Sequence, residues 1–432
     1  MSERRQAPRG TRDLLPGELQ RWQRVEHTAR AVLERYGYGE IRTPMFEDYE
    51  VFARTSGESS DVVQKEMYRL TDLGGRELAL RPEGTAGVAR AWLQHGLAQQ
   101  GRVQRLWYMG PMFRYGRPQK GRYRQFWQIG AELIGSDAPG ADVEIIALFV
   151  DLFEAWGFAG LTVAVNSVGR PASRRAYGDR LRAWLAPAAD EMSEDSRRRL
   201  ELNPLRVLDT KDEDELALFA SGRLGPMPRL LDAIDDADRA HFDLVRAGLD
   251  AAGIRHELDH GLVRGLDYYT RTAFEVHDRS LGAQSALGGG GRYDGLIADL
   301  GGPDTPAVGF SIGLDRTLHV LEEREGALAP AAPDVFVVAM EATRDAAVAL
   351  VRTLRRSLKV ECDVEARGVS AQMKAAGKSG ARLAVIVGED EWARGQVQVK
   401  DMARGTQELI AGDDLAPALR ARLAAHEEAA AP

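Results

Sequence analysis

The most informative stretch of the sequence is LWYMGPMFRYGRPQKGRYRQFWQIGAEL, residues 106–133. Two runs rich in apolar and aromatic residues, 106–109 and 125–133, flank a polar segment, and this pattern is typical of a β-hairpin with a long loop. Five of the eleven residues in the loop, 114–124, are cationic and none is acidic. Because the whole chain carries a formal net charge of -8, we interpret the basic loop as a local binding site for a polyanion.

The second arm of this hairpin combines two kinds of side chain. In a regular strand, Phe126, Gln128 and Glu132 share one face. Trp127 and Leu133 lie on the opposite face, which we expect to pack against the core. An aromatic ring that can stack on a base, polar groups that can orient a small molecule and arginines that can hold phosphates together indicate a site that uses a nucleotide.

The composition is that of a globular protein. A chain of 432 residues with 44% hydrophobic residues is expected to form roughly two to four domains with ordinary cores. Cys362 is the only cysteine, so an intramolecular disulfide and an all-cysteine metal site are excluded, which fits a reducing compartment. The first residues lack an apolar signal segment, and no apolar run reaches the roughly 18 residues that a membrane span needs. We therefore expect a cytoplasmic protein with no membrane association.

Helical and strand patterns alternate before the hairpin. A helix is predicted over 17–36 and ends at Gly37, and a strand is predicted over Glu40–Phe46. Because Pro44 cannot donate a ladder hydrogen bond, that strand should lie at a sheet edge or carry a bulge. A strand end then runs through RPEGT, residues 81–85, into a further helix.

The character of the sequence changes after a helix near 142–156. Residues 170–252 are rich in Arg, Asp, Glu, Ala and Leu and predict an inserted helical module. Strand patterns resume at Ile254 and do not alternate strictly with helices, which favours an α+β domain built on an antiparallel sheet. The stretch EEREGALAPAAP, residues 322–333, is typical of a linker. Beyond it, strands alternate with helices over 334–432 and predict a small α/β domain.

These segments, in this order, resemble the histidyl-tRNA synthetases, which are class II aminoacyl-tRNA synthetases, over nearly the whole chain. The proline-bearing stretch through Pro44 is similar to class II motif 1, Phe113–Glu132 to motif 2 and Gly313–Arg316 to motif 3. Those three motifs indicate only the class. The stretches LVRGLDYY, residues 262–269, and GGRYDG, residues 290–295, together with RPEGT, resemble the histidine-specific members.

The resemblance implies an architecture for the whole chain. It implies a class II catalytic domain on an antiparallel sheet over 1–325, interrupted by the helical insertion at 170–252. A linker over 322–333 and an α/β anticodon-binding domain over 334–432 would follow. Motif 1 implies a homodimer.

The implied activity is that of an ATP-dependent ligase that first joins L-histidine to AMP. Charge builds on phosphate oxygens in that step, so catalysis depends mainly on positioning and on cations. By resemblance, Arg114 and Arg264 are catalytic and contact both the histidine and the α-phosphate. Arg122 and Arg316 would hold the β- and γ-phosphates, with Phe126 stacked on adenine. Mg²⁺ bound to ATP is expected, although the sequence shows no protein motif for a metal.

The resemblance also implies a histidine site. The residues that it implies are Glu83, Gly84, Thr85, Arg114, Gln128, Glu132, Arg264, Tyr268 and Tyr269. Glu83 would bind the α-amino group, and Glu132 and the tyrosines the imidazole. In a regular strand Tyr268 and Tyr269 point to opposite faces, so only one should reach the imidazole unless the backbone bulges. The family pattern favours Tyr269.

The tip of the basic loop is implied to meet the acceptor end of histidine tRNA in the second step. Arg117 and Lys120 would make salt-sensitive phosphate contacts, and Gln119 could read a base edge. The bases that the protein reads on the tRNA are not identified by the sequence.

Two literal motif matches indicate other kinds of site. HELDH, residues 256–260, matches the zinc-protease pattern, but that pattern requires a helix of several turns, and Gly253 and Gly261 bracket it too closely. GKS, residues 377–379, imitates the end of a P-loop, but Gln372 occupies the place of the first glycine. We expect neither a metallopeptidase nor a P-loop.

The serious alternative is a non-catalytic regulatory subunit of histidine biosynthesis, which shares the synthetase catalytic fold. That form generally lacks the anticodon domain and parts of motif 2 and of the histidine motif, all of which are present here. Another class II specificity, such as proline or threonine, is disfavoured by the two histidine-specific stretches.

Overall fold

A computed structural model describes residues 5–56, 60, 62–118, 121–202, 204–210, 212–262, 268–326, 328 and 332–430 of the chain. The chain forms two compact units, Met1–Ala327 and Leu328–Pro432. Within the described residues, no helix combines the length and the apolar character needed to cross a membrane.

The first unit mixes helices with short and long strands. Its elements are α1 (Pro16–Arg35), β1 (Gly39–Glu40), β2 (Phe46–Asp48), α2 (Tyr49–Ser56), β3 (Arg69–Thr71), β4 (Glu77–Leu80), α3 (Thr85–Gln94), β5 (Gln104–Phe113), β6 (Gln125–Ile134), α4 (Pro139–Ala155), β7 (Thr162–Ser167), α5 (Pro171–Leu185), α6 (Glu194–Leu202), α7 (Glu213–Ala220), α8 (Asp236–Ala251), β8 (His256–Leu258), β9 (Thr270–His277), β10 (Ala286–Arg292), α9 (Leu296–Asp299), β11 (Ala307–Gly313) and α10 (Leu314–Glu325).

The predicted hairpin is confirmed. Strands β5 and β6 pair antiparallel over their full length, with Leu106 opposite Glu132 and Phe113 opposite Gln125. They belong to an eight-stranded sheet of order β1-β5-β6-β11-β10-β9-β7-β8. The pairs from β5 to β7 are antiparallel, whereas the edge pairs β1 with β5 and β7 with β8 are parallel. The predicted α+β fold on an antiparallel sheet is therefore confirmed.

The main core lies on the face of the sheet covered by α1, α4 and α8. Trp127, Ile129 and Leu133 of β6 pack into it, as the alternation of the sequence predicts. Phe149 and Phe153 of α4 stack on each other there, with ring centroids 5.1 Å apart. Burial of such aromatic and aliphatic side chains fixes the position of β6, because each fully buried side chain contributes roughly 1.5–3 kcal/mol to the free energy of folding. The opposite face of β6, which carries Phe126, Gln128 and Glu132, therefore points away from this core.

The predicted strand over Glu40–Phe46 is wrong. Its ends belong to two different sheets, since β1 pairs with β5 whereas β2 pairs with β4 in a three-stranded sheet of order β2-β4-β3. The segment that contains Pro44 crosses between the sheets. Arg81 stabilises this crossing because its side chain donates to the carbonyl oxygen of Thr43 at 2.9 Å and its backbone N–H donates to that of Met45 at 2.9 Å.

The helical stretch of the sequence packs in two separate ways. Helices α5–α7 and their connections, residues 171–235, are called the helical module below. They surround a core of their own that includes Tyr177, Leu181 and Trp184. Helix α8 instead contributes Phe242 to the main core beneath the sheet. The end of the module therefore adjoins an element that supports the sheet directly.

Two further stretches that the sequence singled out are strands. His256–Leu258, the start of the HELDH match, forms edge strand β8 and not a helix, so the geometry of a zinc protease is missing there. The glycine run forms the centre of β10, between β9 and β11. A Cβ at Gly290 would lie 2.0 Å from the carbonyl oxygen of Gly309, so this close strand approach requires glycine.

The second unit is a small α/β domain, as predicted. Its elements are β12 (Val335–Ala339), α11 (Arg344–Leu354), β13 (Val360–Cys362), α12 (Val369–Ser379), β14 (Leu383–Val387), α13 (Glu389–Ala393), β15 (Gln396–Asp401), β16 (Gln407–Ala411) and α14 (Leu415–Ala430). The sheet has the order β13-β12-β14-β15-β16. The GKS tripeptide ends helix α12, and Gln372 on that helix is buried, with its side-chain oxygen accepting from the N–H of Ala339 at 2.9 Å. A phosphate-binding loop is therefore not formed at this place.

Candidate active site

The RPEGT segment turns directly into helix α3. The Glu83 carboxylate accepts hydrogen bonds from the backbone N–H groups of Thr85 at 2.7 Å and Ala86 at 2.8 Å. It thereby satisfies donors that the first turn of a helix otherwise leaves open, and it lies where the helix dipole favours a negative charge. Glu83 is only 3% exposed, and burial raises its pKa. Gly84 sits at the helix cap between these groups.

Glu132 forms the buried base of the site. The Thr85 hydroxyl donates a 2.7 Å hydrogen bond to Oε1 of Glu132, and the Tyr293 hydroxyl donates to Oε2. Glu132 is completely buried. Burial raises its pKa to about 8, although the two hydroxyl bonds favour the ionised form. Strand β6, the residue that directly follows β10 and the start of α3 thus meet at one carboxyl group.

Glycines make room for these side chains. A Cβ at Gly309, on the strand beside β6, would lie 1.7 Å from Oε2 of Glu132. A Cβ at Gly84 or Gly130 would come within 2.3 Å of the Tyr108 ring. The Tyr108 ring is therefore held in the space between β6 and the cap of α3.

The open end of the same face of β6 carries Gln128 and Phe126. Gln128 is 6% exposed, and its buried carbonyl Oε1 has no hydrogen-bond partner among the described residues. Arg114 places its guanidinium carbon 5.4 Å from the centre of the Phe126 ring, and its Nε donates to the carbonyl oxygen of Pro82 at 2.8 Å. Its charge also opposes the rise in the pKa of Glu83. The cation, the aromatic plane and the amide are therefore neighbours.

The two tyrosines do not follow the alternation of a regular strand. Both precede β9, and their rings lie with centroids 4.7 Å apart. The Tyr268 ring also contacts that of Tyr293, with centroids 5.6 Å apart. Tyr268 is buried and Tyr269 is half-buried, and burial raises the pKa of the Tyr268 phenol. Both phenols therefore border the site.

The remaining arginines lie at its edges. Arg316 is half-buried in the first turn of α10, directly after β11, which pairs with β6. Arg117 and Arg122 are exposed on the loop between β5 and β6. Three of the predicted site residues, Arg264, Gln119 and Lys120, lie outside the described residues.

Tyr293 and Tyr108 complete the site and were missed as site residues by reasoning from sequence. Tyr293 stands inside the GGRYDG stretch, whose only phenol it is, so the motif itself carried the signal. Tyr108 lies opposite Gly130 in the hairpin register and therefore on the same face as Glu132. Knowing the register would have been enough to identify it.

Comparisons with known proteins agree with this geometry. The sequence model of histidyl-tRNA synthetase matches residues 10–317, and that of the anticodon binding domain matches residues 334–422. The histidine–tRNA ligase of Synechococcus sp. (strain JA-3-3Ab) is 48% identical over 95% of this chain and 97% of that protein. The histidine–tRNA ligase of Cyanothece sp. (strain PCC 7425 / ATCC 29141) is 48% identical over 95% of each.

A solved structure shows the same architecture. The crystal structure of apo S. aureus histidyl-tRNA synthetase superposes with a TM-score of 0.80 at 35% identity, covering 96% of this chain and 100% of that one. With the catalytic and anticodon segments both matched, and with the buried Thr85–Glu132–Tyr293 network in place, the chain belongs to the histidyl-tRNA synthetase family.

Proposed function

We propose that this protein is a histidine–tRNA ligase. It activates L-histidine with ATP to give histidyl-adenylate and pyrophosphate, and it then transfers histidine to the 3′ end of histidine tRNA. The observation that carries this proposal is the buried carboxyl group of Glu132, which receives hydroxyl donors from Thr85 and Tyr293 at the base of the pocket. The family membership of the chain supports the same activity.

The pocket suits histidine because it offers acceptors at both ends of that amino acid. Glu132 can accept an imidazole N–H, with Tyr268 and Tyr269 beside it. The unpaired Oε1 of Gln128 and the carboxylate of Glu83 can accept from the α-ammonium group. A site with buried acceptors strongly rejects amino acids that lack the matching donors, because those acceptors would stay desolvated and unpaired.

The same face provides for the activation step. A carboxylate oxygen of histidine attacks the α-phosphorus of ATP, the bond to the β-phosphate breaks, and pyrophosphate leaves. Arg114 is held by Pro82 through its Nε, so its terminal nitrogens can reach the histidine carboxylate and the α-phosphate. Phe126 supplies a plane for adenine. We assign Arg264 to the α-phosphate, and Arg122 and Arg316 to the outer phosphates.

We propose Mg²⁺ only as part of the Mg·ATP substrate. Among the described residues, no three His, Cys, Asp or Glu side chains cluster as a metal cage. Mg²⁺ commonly binds through substrate phosphates and retains water ligands, which fits a site whose own phosphate ligands are arginines. When bound, the ion neutralises phosphate charge.

In the second step the terminal ribose hydroxyl of the tRNA attacks the carbonyl carbon of histidyl-adenylate, an ester forms and AMP leaves. Arg117, Gln119 and Lys120 at the tip of the hairpin loop would hold the acceptor end. The anticodon domain at 334–432 would bind the other end of the tRNA. We divide the rest of the chain into a catalytic domain, 1–325, with an insertion at 170–252 and a linker at 322–333.

We further propose a cytoplasmic homodimer formed through motif 1. The three-stranded sheet and its surroundings expose Met45 (52%), Phe46 (56%), Leu70 (40%) and Leu73 (111%). Apolar side chains gathered in this way are typical of a protein interface. A second copy of the chain would cover them.

Exchange of label between pyrophosphate and ATP tests the activity. We expect exchange that depends on histidine and on no other of the twenty amino acids. A non-catalytic regulatory subunit would bind histidine without exchange, and the match to an anticodon binding domain at 334–422 favours the ligase over that alternative. A folded sample that gives no exchange with any amino acid would refute the proposal.

A further inference from the structure

The backbone is strained beside the two tyrosines of the pocket. Arg271 has a φ of 50°, and in the described part of the chain it is one of two non-glycine residues with positive φ. Its strand pairing is also irregular, because Gly291 faces Ala273 whereas the next residue, Arg292, faces Thr270. The chain therefore bulges at 271–272, directly after Tyr268–Thr270. Bulges redirect side chains, and strain of this kind persists only where surrounding contacts impose it.

The contact that imposes it is an ion pair with Asp238. Arg271 donates from Nε to Oδ1 of Asp238 at 2.8 Å. The Asp238 side chain has no solvent exposure and lies in the first turn of α8. Arg170 shares this carboxylate, through its Nε at 3.1 Å and its backbone N–H at 3.2 Å. A buried carboxylate that binds two guanidinium groups fixes all three chain segments, since removing one partner would leave buried charge poorly compensated.

The same three segments are the connections of the helical module. The chain enters the module after Gly169, whose carbonyl oxygen accepts from the N–H of Arg271 at 3.1 Å, and it leaves into α8, which carries Asp238. Within the module, Arg174 donates to the carbonyl oxygen of Tyr269 at 2.8 Å. The Tyr269 ring packs both against the apolar cluster that contains Tyr108, Tyr268 and Tyr293 and against the core of the module. Residues 268–269, called the tyrosine segment below, therefore lie between the module and the pocket.

We propose that the Asp238–Arg271 pair is a positioning device which holds the bulge at 271–272, aligns Tyr268 and Tyr269 with Glu132, and couples the helical module to histidine binding. The inference rests on the proposed function, because it assigns Tyr268 and Tyr269 to the histidine pocket. Neither member of the pair is a catalytic residue. Their effect passes through the backbone of the tyrosine segment.

The test compares Arg271→Gly, Arg271→Lys and Asp238→Asn with the wild-type chain. Glycine adopts positive φ without strain, so Arg271→Gly removes the ion pair but not the conformation that the residue must reach. We expect KM for histidine to rise by about tenfold or more in Arg271→Gly and Asp238→Asn, the order expected when a binding group is misplaced, while KM for ATP changes less than about twofold. Histidine affinity measured by calorimetry should fall in parallel.

Double-variant analysis and controls separate positioning from a general loss of structure. The double variant Asp238→Asn/Arg271→Gly should raise KM for histidine no more than Asp238→Asn alone, because Asp238→Asn already removes the interaction that Arg271→Gly removes. Arg279→Ala, which removes an exposed arginine paired with Glu257, should leave both KM values unchanged. Should Arg271→Gly fail to fold, Arg271→Lys and Asp238→Asn decide the matter.

Either of two results would overturn the positioning role. One is an unchanged KM for histidine in the folded single variants. The other is an equal rise of both KM values together with a lower melting temperature, as a merely structural role requires. Absence of histidine-dependent exchange in the wild type would instead refute the proposed function, and calorimetric histidine binding would still report on the pair.

Discussion

The hydroxyl of Thr85 donates a 2.7 Å hydrogen bond to Oε1 of Glu132, across 47 positions of sequence and out of contact with solvent. This bond joins the first residue of α3 to the face of β6 that lies opposite the main core. It leaves the carboxyl group with both oxygens engaged, since Tyr293 donates to the other one. The orientation of Glu132 is therefore fixed before a substrate enters.

Replacing Glu132 with glutamine should weaken histidine binding. The amide keeps the size of the side chain, but its NH₂ group would face a hydroxyl donor on one side, so a buried donor there would lose its acceptor. An unsatisfied buried polar group costs about 1–3 kcal/mol, so we expect roughly 5- to 150-fold weaker binding. Calorimetry with histidine, and with ATP as the control ligand, measures the effect. Equal histidine affinities of Glu132→Gln and the wild type would show that Glu132 does not bind histidine.

The same residue should make stability depend on pH. The ordinary pKa of a glutamate is 4.5, whereas burial raises that of Glu132 to about 8 in the folded protein. The folded state therefore retains a proton that the unfolded chain loses, and the stabilisation is complete below pH 4.5 and is lost as pH rises towards 8. Between pH 4.5 and about 8, the melting temperature of the wild type should fall relative to that of Glu132→Gln. At higher pH the difference between the two should stay constant. A temperature difference that stays constant from pH 5 to 8 would contradict this assignment.

The sequence predicts the hairpin and the two faces of β6 because alternation is a local property. It fails around Pro44, since the sheet to which a short strand belongs depends on distant partners such as Arg81. The GGRYDG motif marks Tyr293, but its contact with Glu132 spans 161 positions, so its place in the site is not visible from the local pattern. The sequence places Tyr268 and Tyr269 on opposite faces because the bulge after them is set by tertiary contacts. Local patterns thus give elements and motifs, whereas long-range contacts give the pocket.

Gly309→Ala should damage the pocket from an adjacent strand. A Cβ there would lie 1.7 Å from Oε2 of Glu132 and 2.7 Å from the carbonyl oxygen of Ala131, so either the side chain or β11 must move. Overpacking of this kind costs about 1–3 kcal/mol, and we expect a lower melting temperature together with weaker histidine binding. Gly140→Ala is the matched control, because a Cβ at Gly140 has no atom within 4 Å. Its histidine binding should remain that of the wild type, and its melting temperature should not fall, because alanine suits a helix better than glycine.

Arg114→Lys tests whether a charge alone is enough for activation. An ammonium group cannot both donate to Pro82 and present a planar pair of donors to carboxylate and phosphate oxygens. We expect the single-turnover rate of histidyl-adenylate formation to fall by about 10²–10³, with a much smaller change in ATP affinity. Arg42→Lys, at an exposed position on the same domain, provides the comparison. A rate for Arg114→Lys close to that of the wild type would remove Arg114 from the reaction centre.

Arg117→Ala should separate the two steps of the reaction. Arg117 is exposed on the loop that follows β5, so its loss should leave the histidine pocket intact and pyrophosphate exchange unchanged. If it contacts a tRNA phosphate, KM for tRNA should rise, and the salt dependence of tRNA binding should lose about one unit of slope in log K against log salt. Arg279→Ala, with a side chain that is 66% exposed, controls for a general change in surface charge. The same slope in wild type and Arg117→Ala would exclude a phosphate contact, and a parallel loss of exchange would place Arg117 with ATP instead.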